Sequence, residues 1–181
     1  ADGLNEKGLA ASMLWLAESD YGNRDQSVPA LGVALWAQYY LDNFATVKEA
    51  VEAFEHQPYQ LIPAEVAGRV ATVHMQLSDA TGDCAVLEVI DGQVVITHGS
   101  EFDVLTNSPT FAEQLTNLRQ YVGFGGVDPL PGSTEAAARF VRAAYYTKSL
   151  PPAENGTMAI AQILSVLRNV AQPFGVIDPT R

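Results

Sequence analysis

Three β-rich runs between residues 69 and 98 restrict most strongly the folds that this chain can adopt. They read RVATVHMQLSD, CAVLEVID and QVVITHG, and the turns between them contain DATGD and DGQ. β-Branched residues favour strands, and Asp-Gly pairs are typical of hairpin turns. The segment therefore predicts a meander of three antiparallel strands, with Phe102–Leu105 as a fourth strand.

Further elements are predicted on both sides of this meander. They are a buried strand over 8–16, after a polar turn DGLNEKG, and helices over 29–44, from 46, over 110–121, over 133–148 and over 158–170. Capping boxes, in which a Thr is followed three residues later by a Glu, start two of the helices, at Thr46 and Thr110, and Thr157 is a cap for the last one. The order of strand, helices, sheet and helices predicts an α+β fold with helices packed on antiparallel strands.

Length and charge limit the partners of the chain. Its 181 residues suit one domain, which we expect to cover residues 1–181. The balance of 10 basic against 21 acidic residues argues against nucleic acid and against an anionic membrane surface. No apolar run has the length of a membrane span, and the start at Ala1 shows no signal peptide, which leaves the compartment open. Both ends lack partners for the predicted sheet, so we expect the chain to be part of a longer or cleaved protein.

Cysteine and histidine usage argues against a metal centre, and no cofactor is predicted. The single cysteine, Cys84, excludes an internal disulfide and a cysteine-based zinc cluster, and the three histidines share no ligand spacing. Cys84 sits at a strand start without a nearby His or Lys, so it is interpreted as a structural residue. His74 lies on a predicted strand and is interpreted as a satisfied core residue.

Two other places carry polar groups that fit catalysis. Asn107 follows the predicted strand that ends at Leu105 and precedes a turn at Pro109; it either serves turn chemistry or directs its amide at a developing negative charge. Arg139 and Arg142 lie three residues apart on an otherwise apolar helix, so they share a face. That face is either a solvated stripe or the wall of a polar cavity.

Four stretches together resemble one family, in order and over nearly the whole chain: ADGLNEKGLAASMLWL, HMQLSDATGDCAVLEVIDG, VLTNSPTFAEQLTNLRQY and LPGSTEAAARFVRAAYY. They are similar to the choloylglycine hydrolase family, which contains penicillin V acylases and conjugated bile salt hydrolases. The resemblance implies an Ntn-hydrolase αββα sandwich, of which this chain is incomplete. It also implies a nucleophile that is an N-terminal cysteine thiol, with the α-amino group of the same residue as the base.

The resemblance implies a role for three residues of this chain. Asn107 matches the oxyanion-hole asparagine, and Arg139 matches the active-site arginine, which makes Arg142 a surface or packing residue. Trp15 matches a position whose backbone N–H is the second oxyanion donor, and its indole would bind substrate. The nucleophilic cysteine and the Arg and Asp that follow it in the family fall before Ala1, so no residue here takes those roles.

Trp15 and the short stretch between Tyr121 and Pro131 resemble the Gram-negative-type acylases. This implies hydrolysis of penicillin V to 6-aminopenicillanic acid and phenoxyacetate, with acyl-homoserine lactones as further small-molecule acyl amide substrates. The alternatives are a bile salt hydrolase and, in another class, an inactive fragment or binding module. The same resemblance implies a periplasmic location, with the cytoplasm as the alternative, and a homo-oligomer, usually a homotetramer.

Overall fold

The computed structural model describes residues 1–66 and 68–175, which fall into two compact units. The first unit covers Ala1–Phe111, and the second begins at Ala112. The described part of the first unit contains nine strands: β1 (Asp2–Leu4), β2 (Ala10–Trp15), β3 (Ala30–Gly32), β4 (Gln60–Ile62), β5 (Ala64–Val66), β6 (Arg69–Ala71), β7 (Val73–Ser78), β8 (Cys84–Ile90) and β9 (Gln93–His98). The helices are α1 (Trp36–Asn43), α2 (Val47–His56), α3 (Phe111–Leu118), α4 (Ala136–Ser149) and α5 (Gly156–Val170).

A five-stranded antiparallel sheet, in the order β1-β2-β7-β8-β9, organises the first unit. The meander β7-β8-β9 confirms the prediction from the β-rich runs. One face of this sheet, including Met75, Leu77 and Leu87, packs in a buried cluster with helix residues such as Trp36 and Phe54. Alternate residues along each strand thus form the main core.

The opposite face of the sheet carries polar side chains, of which His74 and Glu88 are buried and Gln76 is half-buried. Gln76 Nε2 donates to Phe102 O at 2.9 Å, and His74 Nε2 lies 2.7 Å from Thr106 O. Glu88 accepts from Phe111 N at 3.0 Å. Side chains of the sheet therefore bond backbone groups of residues 102, 106 and 111. For this reason the predicted strand Phe102–Leu105 is wrong: that segment is irregular and covers the sheet face instead of extending it.

The chain start also differs from its predicted polar turn. Asp2–Leu4 is strand β1 and pairs with β2, so β2 has a neighbour on each side. Asn5 forms the connection: its Oδ1 accepts from Lys7 N and Leu9 N, both at 3.0 Å. Its Nδ2 donates to Leu41 O at 2.9 Å and to Phe44 O at 2.8 Å, which ties the β1-β2 turn to the end of α1.

Helix α1 begins later than predicted. Ala30–Gly32 pairs in parallel with Gln60–Ile62, and a single 3₁₀ turn, Val33–Leu35, follows it. The apolar spacing from Pro29 onward therefore belongs partly to a strand. Helix α2 begins as predicted, with Thr46 Oγ1 accepting from Glu49 N at 3.3 Å. The Glu49 carboxylate in turn accepts from Ala45 N at 2.8 Å.

The second unit is helical in its described part. Helix α4 begins three residues later than predicted, because the backbone at Glu135 is extended. The carbonyls of Pro131 and Ser133, before this residue, accept from Arg142 Nη1 at 2.9 and 2.7 Å. Helix α5 is capped by Asn155, whose side chain accepts from Met158 N at 2.9 Å, rather than by Thr157. Helix α3 is shorter than predicted. Among the residues described, no helix has the length and apolar character needed to span a membrane.

Candidate active site

The turn that carries Asn107 is attached to the end of strand β2 by two hydrogen bonds. Asn107 Nδ2 donates to Trp15 O at 3.1 Å, and Ser108 Oγ accepts from Ala17 N at 2.9 Å. The Ser108–Pro109 peptide bond is cis. Asn107 is half-buried and lies beside Trp15, although 92 positions separate them in the chain. The turn is thus held to β2 by a side chain at each of two successive positions.

Strand register determines where the backbone groups of Trp15 point. Leu16 N donates to Thr72 O, on the β7 side of β2, at 3.0 Å. Consecutive residues of an antiparallel strand direct their N–H and C=O groups to alternate sides. Trp15 therefore directs both its N–H and its C=O away from β7.

That side of β2 is the side on which β1 lies. Met13 N, two residues before Trp15, donates to Ala1 O at 2.8 Å on this side. Trp15 occupies the next position along the same edge, past Ala1, and there its C=O accepts the Asn107 amide. The Trp15 N–H and the Asn107 carboxamide, both assigned to the oxyanion hole by resemblance, therefore share one edge of one strand.

An apolar cavity of about 300 Å³ lies beside this edge. Its wall includes Trp15, whose side chain is 46% exposed. The other lining residues are small or aliphatic: Ala1, Met13, Val33, Ala34, Ala64, Ala71 and Val73. Such a cavity suits an apolar or aromatic group of modest size.

A buried polar pair on strands β7 and β8 contacts the turn that carries Asn107. His74 and Glu88 are 0% and 2% exposed, and His74 Nδ1 lies 3.0 Å from Glu88 Oε1. His74 Nε2 lies 2.7 Å from Thr106 O, immediately before Asn107. Both ring nitrogens thus have partners, which confirms that His74 is a satisfied core histidine.

Both arginines of α4 make hydrogen bonds within the second unit. Arg139 Nε donates to Thr134 O at 3.1 Å, and Arg142 Nη1 donates to three backbone carbonyls. Arg142 therefore holds the loop that precedes α4. The active-site role of Arg139 stays a prediction.

Cys84 is buried, as expected of a structural residue. Burial, and then the neighbouring carboxylates Asp103, Asp83 and Asp79, raise the pKa of its thiol. A raised pKa keeps the thiol protonated and unreactive. Among the described residues, no group of three or more His, Cys, Asp or Glu side chains could hold a metal ion.

Sequence reasoning missed two residues of this region, Glu88 and Ser108. Glu88 interrupts the apolar run CAVLEVI on β8, and a carboxylate amid buried strand residues is rare unless it is paired. That interruption, together with His74 on a neighbouring predicted strand, was the available signal. Ser108 carried no comparable signal, because Ser before Pro is ordinary turn composition.

Comparisons with known proteins agree with the resemblance. Residues 1–180 match the family of linear amide C–N hydrolases, choloylglycine hydrolase family. A penicillin V acylase of Pectobacterium atrosepticum is 46% identical over 98% of this chain and 52% of its own length. A bile salt hydrolase/transferase of Clostridium perfringens is 29% identical over 97% of this chain and 60% of its own length.

The fold is also shared with solved structures. A penicillin V acylase from Agrobacterium tumefaciens superposes with a TM-score of 0.88 at 49% identity, over 100% of this chain and 55% of that one. A conjugated bile acid hydrolase from Clostridium perfringens gives 0.79 at 28% identity. The expected α+β Ntn-hydrolase fold is therefore confirmed, and the chain spans about half the length of these relatives.

Proposed function

The chain belongs to the choloylglycine hydrolase family of linear amide C–N hydrolases, and from this we propose that it is part of a longer enzyme whose N-terminal cysteine cleaves a linear amide. The observation that carries the proposal is the edge of β2. There the Asn107 carboxamide is hydrogen-bonded to Trp15 O, and the Trp15 N–H points to the same side. Two N–H donors at one edge are what an amide hydrolase needs for its oxyanion.

In the proposed reaction the cysteine thiol attacks the amide carbonyl carbon while its own α-amino group takes the thiol proton. The carbonyl oxygen becomes an anion, which Asn107 Nδ2 and Trp15 N–H stabilise. The intermediate collapses to a thioester, and the proton passes to the departing amine; water then hydrolyses the thioester. Arg139 orients the thiolate or a polar group of the substrate. An α-amino group has a pKa of roughly 7.7–8.0, so this chemistry requires no catalytic histidine.

The preferred substrate in this proposal is penicillin V. The cavity beside Trp15 is apolar and offers an aromatic wall, against which a phenoxyacetyl group can stack. Two penicillin V acylases, 46% and 49% identical to this chain, support the same choice. Acyl-homoserine lactones with long acyl chains are the second substrate class, because the same cavity suits an alkyl chain.

A bile salt hydrolase is the alternative enzyme, supported by the Clostridium relative at 29% identity. The test uses the product of the full reading frame that encodes this chain. We expect release of 6-aminopenicillanic acid from penicillin V, followed by chromatography, at a kcat/KM well above that for glycocholate. Faster turnover of glycocholate would replace the first substrate assignment with the second.

The nucleophile is tested separately, by sequencing the N-terminus of the mature protein. An N-terminal cysteine whose replacement by alanine abolishes hydrolysis supports the mechanism. Any other N-terminal residue, together with inactivity on both substrates, supports the alternative of an inactive fragment or binding module.

A homo-oligomer and a periplasmic location are further parts of the proposal. Light scattering of the mature protein tests its oligomeric state, and its release by osmotic shock tests its location.

A further inference from the structure

His74 and Glu88 form a fully buried polar pair near the proposed site, and the proposed mechanism gives this pair no role. It joins the sheet to both ends of the turn that carries Asn107. His74 Nε2 lies 2.7 Å from Thr106 O at the start of the turn. Glu88 accepts from Phe111 N at its end, at 3.0 Å to Oε1 and 3.3 Å to Oε2.

The hydrogen-bond partners determine where the protons of this pair lie. Thr106 O can only accept, so His74 Nε2 carries a hydrogen. One further proton lies between His74 Nδ1 and Glu88 Oε1. It sits on the ring beside a carboxylate, or on the carboxyl group beside a neutral ring. In both arrangements the pair is neutral overall and every bond is made, which is how a buried pair is tolerated.

The link to Asn107 is a single peptide group. The carbonyl that His74 binds belongs to the peptide bond between Thr106 and Asn107, so holding this carbonyl fixes the peptide plane from which the Asn107 Cα extends. On the far side of that residue, the carboxamide is bonded to Trp15 O. A backbone anchor at Thr106 and a side-chain anchor at Trp15 thus both restrain the Asn107 side chain.

We propose that His74 and Glu88 are positioning residues that hold the Asn107 carboxamide in the orientation needed to stabilise the oxyanion. This role rests on the proposed function, since it presumes that Asn107 serves the oxyanion. The pair itself touches neither substrate nor nucleophile in this proposal. It acts through the Thr106 peptide group at one end and through Phe111 N at the other.

Three variants separate positioning from packing. His74→Asn keeps an amide donor where Nδ1 faces Glu88 but has no group at Nε2, so Thr106 O loses its donor. Glu88→Gln is the matched control: its amide N–H can donate to His74 Nδ1 and its oxygen can accept from Phe111 N. His74→Gln places an N–H near Thr106 O but loses the link to Glu88.

Kinetics of the full-length enzyme provide the first readout. We expect His74→Asn to lower kcat about 10- to 100-fold, since a misplaced catalytic group costs on that order, with KM within about threefold. Glu88→Gln should stay within about threefold of the parent, and His74→Gln should fall between the two. In an Asn107→Ala background, His74→Asn should lower kcat by less than about threefold, because the group it positions is gone.

A general loss of folding would lower kcat by the same factor in both backgrounds, so equal factors would overturn the proposal. So would an unchanged kcat in His74→Asn. If His74→Asn does not fold, the comparison of His74→Gln with Glu88→Gln decides in the same way. Equal kcat values for those two variants contradict positioning, and a lower value for His74→Gln that disappears in the Asn107→Ala background supports it.

A second readout requires no activity. In protein labelled with ¹⁵N-asparagine, the side-chain NH₂ signals of Asn107 are assigned by their loss in Asn107→Ala. We expect these signals to shift or broaden in His74→Asn and to match the parent in Glu88→Gln. An inactive parent with shifted signals would reject the proposed function and keep the positioning role. Unshifted signals in His74→Asn would reject positioning, whatever the parent hydrolyses.

Discussion

Hydrogen-bond chemistry determines the orientation of the Asn107 carboxamide. Trp15 O, 3.1 Å away, can only accept, so the atom that faces it must be the amide nitrogen and not the amide oxygen. This hydrogen bond restrains the orientation of the Asn107 amide relative to β2. A carboxamide in a defined plane is a better oxyanion donor than one that rotates, because no reorganisation is needed during the reaction.

Replacement of Asn107 by alanine tests this residue directly. In the proposed full-length enzyme we expect kcat on penicillin V to fall about 10²- to 10³-fold with little change in KM, as for the loss of one oxyanion donor. Steady-state kinetics measure both constants. Ser108→Ala, which removes only the bond to Ala17 N, is the control and should lose much less; an equal loss would assign the effect to the turn rather than to the amide.

Trp15 is expected to behave differently, because its two contributions come from different parts of the residue. Trp15→Ala keeps the backbone N–H and removes the wall of the cavity. We expect KM for penicillin V to rise roughly 5- to 10-fold, the equivalent of about 1–1.4 kcal/mol for a half-buried apolar group, while kcat changes by less than about threefold. A collapse of kcat with constant KM would contradict this division.

Cys84 is predicted to be inert. Because burial raises the pKa of its thiol, the folded chain should not react with a disulfide reagent at pH 8, and urea should expose one thiol. Absorbance of the released thiolate measures this. In the full-length enzyme Cys84→Ser should keep its activity; loss of activity in a folded Cys84→Ser protein would show that the residue is more than structural.

For single residues, the sequence was informative where a polar or aromatic side chain stands at the end of a predicted strand or inside one. Asn107 and Trp15, 92 positions apart, were named together from the family resemblance, and the structure joins them. The burial of Cys84 and of His74 followed from their strand context. The partner of His74 could not be predicted, because pairing across β7 and β8 depends on the register of the strands.

Among the elements, the segment after β9 shows how side chains can replace strand pairing. Residues 102–105 have the composition of a strand, yet the segment is irregular and its first carbonyl, Phe102 O, accepts from the Gln76 side chain. Local β-propensity describes a residue that fits a sheet surface, and this segment lies on such a surface without joining the sheet. Single-segment patterns therefore cannot distinguish the two arrangements.

The predicted boundaries of some elements were wrong for a related reason. Apolar spacing from Pro29 to Phe44 fits a helix throughout, but residues 30–32 pair in parallel with β4, which lies 30 positions later. The helix cap at Thr46, which has a local sequence signature, was predicted correctly. The cap of α5 was displaced by two residues, because Asn155 and Thr157 are both suitable N-caps and only the backbone path decides between them.

Asp79 joins two elements and gives a prediction on stability. Its carboxylate, in the β7-β8 turn, accepts from Val47 N at the start of α2 (2.9 Å) and from Thr81 N and Oγ1 (2.9 and 2.6 Å). Burial alone would raise the pKa of Asp79, but the hydrogen bonds from Thr81, Val47 and Asp83 outweigh it and lower the pKa. The carboxylate form therefore stabilises the fold.

Asp79→Ala should accordingly reduce the free energy of unfolding by about 1–2 kcal/mol at pH 7. A lowered pKa in the folded state gives stability that is present above the unfolded pKa of about 3.9 and lost as pH falls through the folded value. The difference between parent and variant should therefore shrink below about pH 4. Urea unfolding followed by tryptophan fluorescence measures it, with exposed Asp42→Ala as the control; a difference that does not depend on pH would contradict the assignment.

The whole molecule presents an apolar stripe on α5 that is unusual for a folded surface. Ile160, Ile163, Leu164 and Leu167 recur at helical spacing and are 64, 47, 48 and 53% exposed. Contiguous apolar area of this kind promotes association. The relatives are nearly twice as long as this chain, so the surface of residues 1–181 is the surface of about half of such a protein.

We therefore expect the 181-residue chain, expressed alone, to bind a hydrophobic dye and to self-associate. The double variant Ile160→Lys and Leu167→Lys should reduce both, as measured by dye fluorescence and light scattering. Ala161→Lys with Asn169→Lys adds the same charge to exposed positions of α5 without removing the stripe. Equal effects of the two pairs would show that added charge, and not lost apolar surface, controls association.

Strand β2 supplies Met13 and Trp15 to the cavity wall and also bears, through Trp15, the carbonyl that fixes Asn107. In the proposed enzyme we therefore expect changes on this strand to affect both acyl preference and turnover. Redesign of substrate scope should begin at Val33, Ala34 and Ala64, which line the same cavity from outside β2. Substitutions at these positions can change the volume available to the acyl group without altering the backbone of β2, which carries the proposed oxyanion donor at Trp15.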